Sequence, residues 1–463
     1  MANKPLKAVL IGAGERGAKS YAPFALRHPD RLQFVAVAEP NAARREAFSL
    51  QHGIPRELQF EDWPQLLEHE QLGEVALVCT QDWQHTRPAI AAMRAGYHVL
   101  LEKPMANVAQ ECRDLLQVSR ETQRQLHICH VLRYTPHFQK MRELVQSGVL
   151  GQIVNVDQRE NAAFWHMAHS FVRGNWRNKE QSSPMILAKC CHDFDILNWV
   201  LDDSPVRLSS FGELSHFKVE NAPPGAPLRC LDGCPVAETC PFYAPFIYQG
   251  MVPFWNSLAD TARGFPRWAA ATYATNPGLI RALSGFVPVL HQLTRYDGWP
   301  LSVLAEDPTP EKIDLALREG PYGRCVYHCD NDVVDHQVVL MQMESGADVS
   351  LTMHGLSHNE YRTTRIEGSH GRLMAEFGTG GSRIVVDEHR TDWRMEYDTS
   401  ADLRDGHGGG DLRLMAYLVD CVNDGDFEEI YADTQAALKS HLLAFAAEDS
   451  RLESRVMSRE HWE

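Results

Sequence analysis

The chain has 463 residues, 44% of them hydrophobic and 23% charged, with 45 basic against 61 acidic side chains and a formal net charge of -16. That composition implies a soluble globular protein of two or three domains. The acidic balance argues against general affinity for nucleic acid or an anionic membrane surface. No run of about 18 apolar residues is present to span a bilayer, and no apolar leader precedes the first strand, so a cytoplasmic protein is expected. Eleven cysteines suggest free thiols or a metal site rather than a disulfide framework.

Taken in chain order, Leu6 to Ile11 is a short apolar strand, followed by the loop Gly12-Ala13-Gly14-Glu15-Arg16-Gly17 and a helix from Arg16 to Arg27. Gln33 to Ala38 is a second strand ending at Glu39, and Asn41 can cap the next helix. Val75 to Cys79, His98 to Leu101 and Leu126 to Val131 read as further buried strands separated by helical stretches. That alternation predicts a doubly wound, parallel Rossmann sheet over residues 1–135. From about Gly151 the pattern changes. Ile153 to Gln158, Arg207 to Phe217, Val333 to Glu344, Ala347 to His354, Thr363 to Glu367 and Arg383 to Asp387 read as strands, several joined by hairpin turns. Residues 136–463 are therefore expected to form an α+β domain with a largely antiparallel open sheet, with helices at about 186–201 and 411–422 packed on it. Residues 218–320, rich in proline, tryptophan and tyrosine, read as a partly helical insertion.

In the glycine loop, Gly12 permits the tight turn, Gly14 lets backbone approach a pyrophosphate, and Gly17 allows close helix–strand contact. Glu39 lies 22 residues past Gly17, where a ribose-binding acid belongs. The reading is dinucleotide binding, with NAD favoured because a carboxylate at Glu39 repels a 2′-phosphate. Arg44 and Arg45 argue the other way, towards NADP, although a solvated helix face accounts for them equally well.

The stretches Val78-Cys79-Thr80 with His85, and Ala95-Gly96-Tyr97-His98-Val99-Leu100-Leu101-Glu102-Lys103-Pro104, added to the glycine loop, make the chain resemble the glucose–fructose oxidoreductase/inositol dehydrogenase/MocA (Gfo/Idh/MocA) family. The resemblance continues through Arg133-Tyr134-Thr135-Pro136, Trp176-Arg177 and the segment 192–195. It implies that Thr80, His85, Glu102 and Lys103 join Gly12, Gly14, Arg16, Gly17 and Glu39 around the cofactor. It places Lys103 between nicotinamide and substrate, makes His192 the proton acceptor, and assigns Arg133, Trp176 and Arg177 to substrate binding. An ammonium at Lys103 can hydrogen-bond a substrate hydroxyl and stabilise the developing oxyanion, and histidine suits proton transfer near neutral pH. Helical spacing puts Lys189, His192 and Asp195 on one face. Many sugar and inositol dehydrogenases of the family carry aspartate four residues before this histidine, where this chain has Ala188, with Lys189 beside it. The expectation is a Lys103–Lys189–His192 set in which two lysines depress each other's pKa and favour an anionic, carbohydrate-like substrate. The implied activity is NAD-dependent oxidoreduction of a sugar, polyol or glycoside carbinol. The alternative is a redox-assisted glycoside hydrolase with tightly bound NAD, running through oxidation, elimination and re-reduction. A non-catalytic nucleotide sensor is a third reading, against which the intact Lys103 and His192 weigh. A homodimer or homotetramer is implied by resemblance alone.

Cys230, Cys234 and Cys240 fall within eleven residues, and Cys325 and Cys329 repeat the first spacing. Structural zinc takes four such ligands, here Cys230, Cys234, Cys240 and Cys325, with Cys329 the alternative fourth. An iron–sulfur cluster and five unrelated thiols are the competing readings. The Asp330-Asn331-Asp332 and Asp335-His336 segments admit substrate contact or turn capping. His407-Gly408-Gly409-Gly410-Asp411 admits a loop bordering the site or a helix start capped by Asp411.

Overall fold

The computed structural model describes residues 4–262, 264–378, 381–401 and 406–463. The six parallel strands are β1 (Leu6–Ile11), β2 (Leu32–Ala38), β3 (Gln59–Phe60), β4 (Val75–Val78), β5 (His98–Leu101) and β6 (Leu126–Ile128). They lie in the order β3-β2-β1-β4-β5-β6. This is the doubly wound order whose reversal between β1 and β4 opens a crevice at the carboxyl ends of the strands. The glycine loop follows β1, and Glu102-Lys103 follows β5, so both stand at that edge.

The second sheet has nine strands. They are β7 (Ile153–Ala163), β8 (Pro205–Glu213), β9 (His336–Met343), β10 (Asp348–Ser357), β11 (Tyr361–Gly368), β12 (Gly371–Gly378), β13 (Gly381–Glu388), β14 (Arg394–Asp398) and β15 (Met457–Ser458). Their order is β14-β13-β12-β11-β7-β10-β9-β8-β15. All neighbours are antiparallel except β7 and β10. The antiparallel sheet expected from the alternation is present, with more strands than the sequence suggested. β12 begins and ends on glycine, and β14 is an edge strand with no buried residue, so neither shows a clear apolar signature.

The helix Met185–Leu201 is buried on nearly every side, within one continuous core to which both sheets contribute. Two later helices return to the first sheet. Leu414, Met415, Leu418 and Val419 of the helix Gly410–Asp424 cluster with Leu10, Phe34, Leu77 and Leu100. The helix Phe427–Glu453 runs from one sheet to the other. Its Thr434 hydroxyl donates to the Leu126 carbonyl of β6, and its Ser450 hydroxyl accepts from the Ser210 amide of β8. Its apolar residues face several directions, so it lacks the single stripe that marks an amphipathic helix. Most of the insertion is helical, including Val252–Thr261, Gly264–Thr275 and Pro310–Glu319. Among the described residues no helix is long and apolar enough to cross a membrane.

Several histidines are buried where the elements meet. Burial pushes the imidazoles of His127, His137 and His441 down to about 3, aided by neighbouring His98 at His127 and His130 at His441. Their folded values lie below the unfolded value near 6.5, so the unfolded chain takes protons first. Their contribution is intact above pH about 6.5 and is lost as pH falls, at about 1.4 kcal/mol per pH unit for each. The losses of the three groups act in the same direction as pH falls towards 4. The melting temperature followed by circular dichroism is expected to fall steeply between pH 6 and pH 4, and a flat profile would contradict the buried, neutral assignment.

Candidate active site

Steric constraints shape the glycine loop. Gly12 has φ +94°, and a Cβ there would sit 2.6 Å from the Cys79 carbonyl oxygen. A Cβ on Gly17 would lie 2.4 Å from the Gly12 oxygen. At Gly14 nothing lies within 4 Å of that position, so the backbone there is open to a ligand. Glu39, buried at the end of β2, uses one carboxylate oxygen to accept the Ala13 amide (2.8 Å) and the other to accept the Asn41 amide (3.0 Å). A carboxylate has about four acceptor positions, so capacity remains for a diol. Arg44 is exposed. Arg45 donates to the Glu39 and Pro40 carbonyls and lies 3.7 Å from Glu61, so its charge is already engaged.

At the ends of β4 and β5, His85 spans two carbonyls, with Nδ1 2.7 Å from Pro104 and Nε2 3.2 Å from Thr80. The Thr80 hydroxyl is buried and has no hydrogen-bond partner among the described residues. Glu102 is the centre of a buried network. It accepts from Arg16 Nε (2.5 Å), the Tyr21 hydroxyl (2.6 Å) and the Lys103 amide (2.8 Å). Burial opposes its ionisation, but Arg16, Lys103 and the Tyr21 hydrogen bond outweigh that and hold it below the usual carboxylate range. Arg16 continues to Asp411 (3.0 Å) and His407 (3.0 Å). Its guanidinium is thus a strut between the glycine loop, β5 and the start of the helix Gly410–Asp424. Asp411 stands in the first turn of that helix, whose N-cap is Gly409; its carboxylate serves Arg16 rather than capping.

Lys103 joins Pro104 through a cis peptide, and its ammonium donates to the Ala188 carbonyl at 2.8 Å. His192 stands one turn further along the same helix, 7% exposed. Its Nδ1 lies 3.4 Å from His130 Nδ1, and its Nε2 makes no hydrogen bond among the described residues. Burial first, then the positive charge of Lys103 and the neighbouring His130 and Arg362, hold the His192 imidazole well below its ordinary value. His130 in turn approaches the Ser440 hydroxyl at 3.4 Å.

The cations expected around the substrate have carboxylate partners. Lys189 pairs with Glu360 at 2.9 Å and lies 3.7 Å from Glu160. Burial opposes its charge, but both carboxylates outweigh that and raise its pKa. The depression expected of Lys189 is therefore not found, and its charge is matched by Glu360 and Glu160. Lys189, His192 and Asp195 are joined by no direct hydrogen bond or ion pair among the described residues; His130 stands between the last two, 3.4 Å from His192 Nδ1 and 4.0 Å from Asp195. Asp195 takes a bidentate pair from Arg133 at 2.7 and 2.6 Å. Arg177 pairs with Asp330 at 3.0 Å, and the Trp176 indole donates to buried Asp82 at 3.0 Å. Asp332 and Asp335 accept backbone amides, the capping role. Cys230, Cys234, Cys240 and Cys325 line one small cavity, and Cys329 does not.

Residues 6–130 match the model of the "Oxidoreductase family, NAD-binding Rossmann fold", and residues 138–223 match the "GFO/IDH/MocA C-terminal domain". The chain belongs to the Gfo/Idh/MocA family. The Bacillus subtilis (strain 168) protein YteT is 22% identical over 356 residues, 74% of this chain and 72% of that one. The aldose–aldose oxidoreductase from Caulobacter crescentus, complexed with glycerol, shares the fold with a TM-score of 0.63 at 13% identity, covering 98% of this chain and 100% of that one. The WlbA dehydrogenase from Chromobacterium violaceum, in complex with NADH and UDP-GlcNAcA, superposes with a TM-score of 0.60 at 14% identity, covering 99% of this chain and 97% of that one.

Within this Gfo/Idh/MocA chain, the main-chain oxygen of Ala188 holds Lys103 at the position where the resemblance expects an aspartate. Other parts of the site were not legible locally. Glu360, 171 residues from Lys189, also binds His166. Trp299 of the insertion packs on Trp165, His166 and His169. From there the insertion reaches the nucleotide loop, with Ser302 3.5 Å from Glu15 and Glu306 bonded to Asn41. Only the aromatic richness of the insertion hinted at this wall. Replacing Glu102 by glutamine removes the charge opposite Arg16. The expected cost is on the order of 2–3 kcal/mol, as for breaking a largely buried pair, read as a lower urea midpoint; an unchanged midpoint would show the network to be dispensable.

Proposed function

We propose that the protein transfers hydride between a carbinol carbon of a sugar, polyol or glycoside and a nicotinamide cofactor, with NAD preferred over NADP. The observation that carries this reading is the convergence of the Lys103 ammonium, fixed on Ala188 at 2.8 Å, with the open Nε2 of neutral His192 on the same helix. The open backbone at Gly14, the unpartnered Thr80 hydroxyl and the spare acceptor positions on Glu39 fit a dinucleotide. Gly12, Gly14 and Gly17 would flank its pyrophosphate, and Glu39 would accept from its ribose hydroxyls. The engagement of Arg45 with carbonyls and Glu61 supports the NAD preference. The carbohydrate assignment is supported by relatives crystallised with glycerol and with UDP-GlcNAcA.

A nicotinamide held there would supply the hydride acceptor. Lys103 donates a hydrogen bond to the substrate hydroxyl and stabilises the oxyanion as the C–H bond breaks. His192 Nε2 takes the hydroxyl proton, leaving a carbonyl product. For Nε2 to accept, Nδ1 must carry the other proton and donate to His130 Nδ1, and His130 Nε2–H then points to Ser440. Lys189, Glu360 and His166 act by holding the wall of the pocket, because the lysine's charge is already matched. Arg133 fixes Asp195, and Trp176 and Arg177 border the substrate side. Arg16 holds Glu102, and through it the Lys103 amide.

We assign cofactor binding to residues 1–135 and substrate binding with oligomerisation to 136–463, the insertion at about 218–320 included. Val154, Phe211, Leu340, Leu356 and Tyr361 are exposed on adjacent strands of the second sheet, which supports a homodimer or homotetramer through that face.

A second reading is a redox-assisted glycoside hydrolase that keeps NAD through the cycle. It is favoured by the contacts of Ser302 and Glu306 with the nucleotide loop region. Denatured protein should release the cofactor for identification by mass, and an NADH absorbance assay over free sugars and aryl glycosides separates the two. Net NADH on a free sugar supports the dehydrogenase; aglycone release without net NADH supports the hydrolase.

Lys103→Ala and His192→Asn are expected to lower kcat about 10²–10⁴-fold while leaving cofactor affinity within a few-fold. Because His192 is held below its ordinary value, the base form persists under mildly acidic conditions. The acidic limb of kcat/KM for oxidation should therefore fall below pH about 6.5. A limb above pH 7 would remove His192 from the role of base.

A further inference from the structure

The cysteine cluster carries chemistry that hydride transfer does not use. Cys230, Cys234, Cys240 and Cys325 line a cavity of about 10 Å³, walled otherwise by apolar and aromatic side chains such as Val236 and Phe242. That is room for one water-sized particle. Backbone pairing brings the two cysteine segments together. Arg229 and Arg324 form a β-bridge, the Cys230 amide donates to Gly323 and the Cys325 amide to Leu228, both at 2.9 Å. All these cysteines are free thiols. Cys329 does not line this cavity, and its Sγ donates to the Cys325 carbonyl at 3.3 Å.

Arg173 supplies an independent observation. Its side chain is wholly buried. Nε donates to the Arg324 carbonyl at 2.8 Å, and Nη2 donates to the Phe242 carbonyl at 2.7 Å and lies 3.6 Å from Cys230 Sγ. Nη1 is buried with no hydrogen-bond partner, and the guanidinium forms no ion pair among the described residues. The Tyr248 hydroxyl close by brings no charge. A buried guanidinium without a counter-charge is strongly disfavoured, and neutral thiols provide none.

We propose that this cavity binds one zinc ion through the thiolates of Cys230, Cys234, Cys240 and Cys325, with Arg173 as the buried counter-charge. Four thiols release four protons to solvent, the ion brings two positive charges, and the resulting dianion sits against a guanidinium already aimed at Cys230. N–H donors of that kind around thiolate ligands orient them and stabilise their charge. Zinc with four sulfur ligands is a structural site, and a cavity this small suits a single ion better than a four-iron cube. Among the described residues no three potential ligands stand in coordination geometry. Binding therefore requires the thiols to rotate about their Cα–Cβ bonds, Cys230 turning from the Arg324 carbonyl 3.8 Å away. Such a centre would staple both ends of the insertion together and, through Arg173, fix the segment carrying His166 and Trp176.

The test is metal analysis of untagged full-length protein purified without chelators from zinc-supplemented medium. Stoichiometric zinc is expected, lost in Cys234→Ser and in Cys240→Ser and retained in Cys329→Ser. Cobalt exchanged into the wild type provides a second reading that needs no variant. Intense visible bands with sulfur-to-cobalt charge transfer are expected for a tetrahedral thiolate site. Absence of zinc, iron with acid-labile sulfide in its place, zinc that survives both serine substitutions, or weak oxygen-ligand cobalt bands would each overturn the proposal. None of these outcomes depends on the redox activity.

Discussion

The Glu102 carboxylate is the interaction on which the geometry of the site depends. It is buried at the end of β5, where an unpaired charge would be prohibitive, and three donors from different parts of the chain meet it. Arg16 and Tyr21 come from the helix after the glycine loop, and the third donor is the Lys103 amide. The carboxylate that stabilises the loop thus also fixes the backbone from which the lysine projects. Arg16 extends the network to Asp411, 395 residues away. The nucleotide loop, the strand bearing Lys103 and a C-terminal helix therefore share one electrostatic joint.

What could be read from the sequence was local. Gly12, Gly14 and Gly17 are legible from their spacing after one strand, and Glu39 from a fixed distance along one strand–helix–strand unit. The six strands of the first sheet, apart from two-residue β3, announced themselves as apolar runs. The partners of the charged residues could not be read this way. Arg133, Arg177 and Lys189 look like free cations until the fold brings Asp195, Asp330 and Glu360 to them, across 62, 153 and 171 residues. Buried cations are seldom left unpaired, so the prior from the residue type alone was misleading. The helix Phe427–Glu453 was missed for a related reason: it is enclosed by both sheets, and its pattern records no single face.

The insertion gives the second sheet a reach that neither sheet has alone. Its Trp299 completes an aromatic wall with Trp165 and His169, and a few residues later Ser302 and Glu306 touch the glycine loop and Asn41, three residues past the end of β2. The aromatic wall and the glycine loop are thereby linked by one segment. Its anchorage lies at the Arg229–Arg324 bridge, beside Arg173. The placement of the wall follows from how firmly that base is held.

The helix Gly410–Asp424 has a consequence for how the protein is made. During vectorial synthesis, the six parallel strands leave the ribosome long before Leu414, Met415, Leu418 and Val419 exist to cover Leu10, Phe34, Leu77 and Leu100. Domains usually fold from the N-terminus as they emerge. Here the nascent nucleotide-binding sheet must wait for almost the whole chain, with one apolar face bare to solvent or to a chaperone. A ribosome stalled near residue 400 would carry every residue of the glycine loop and the Glu-Lys-Pro motif without the cover that lets them form a site.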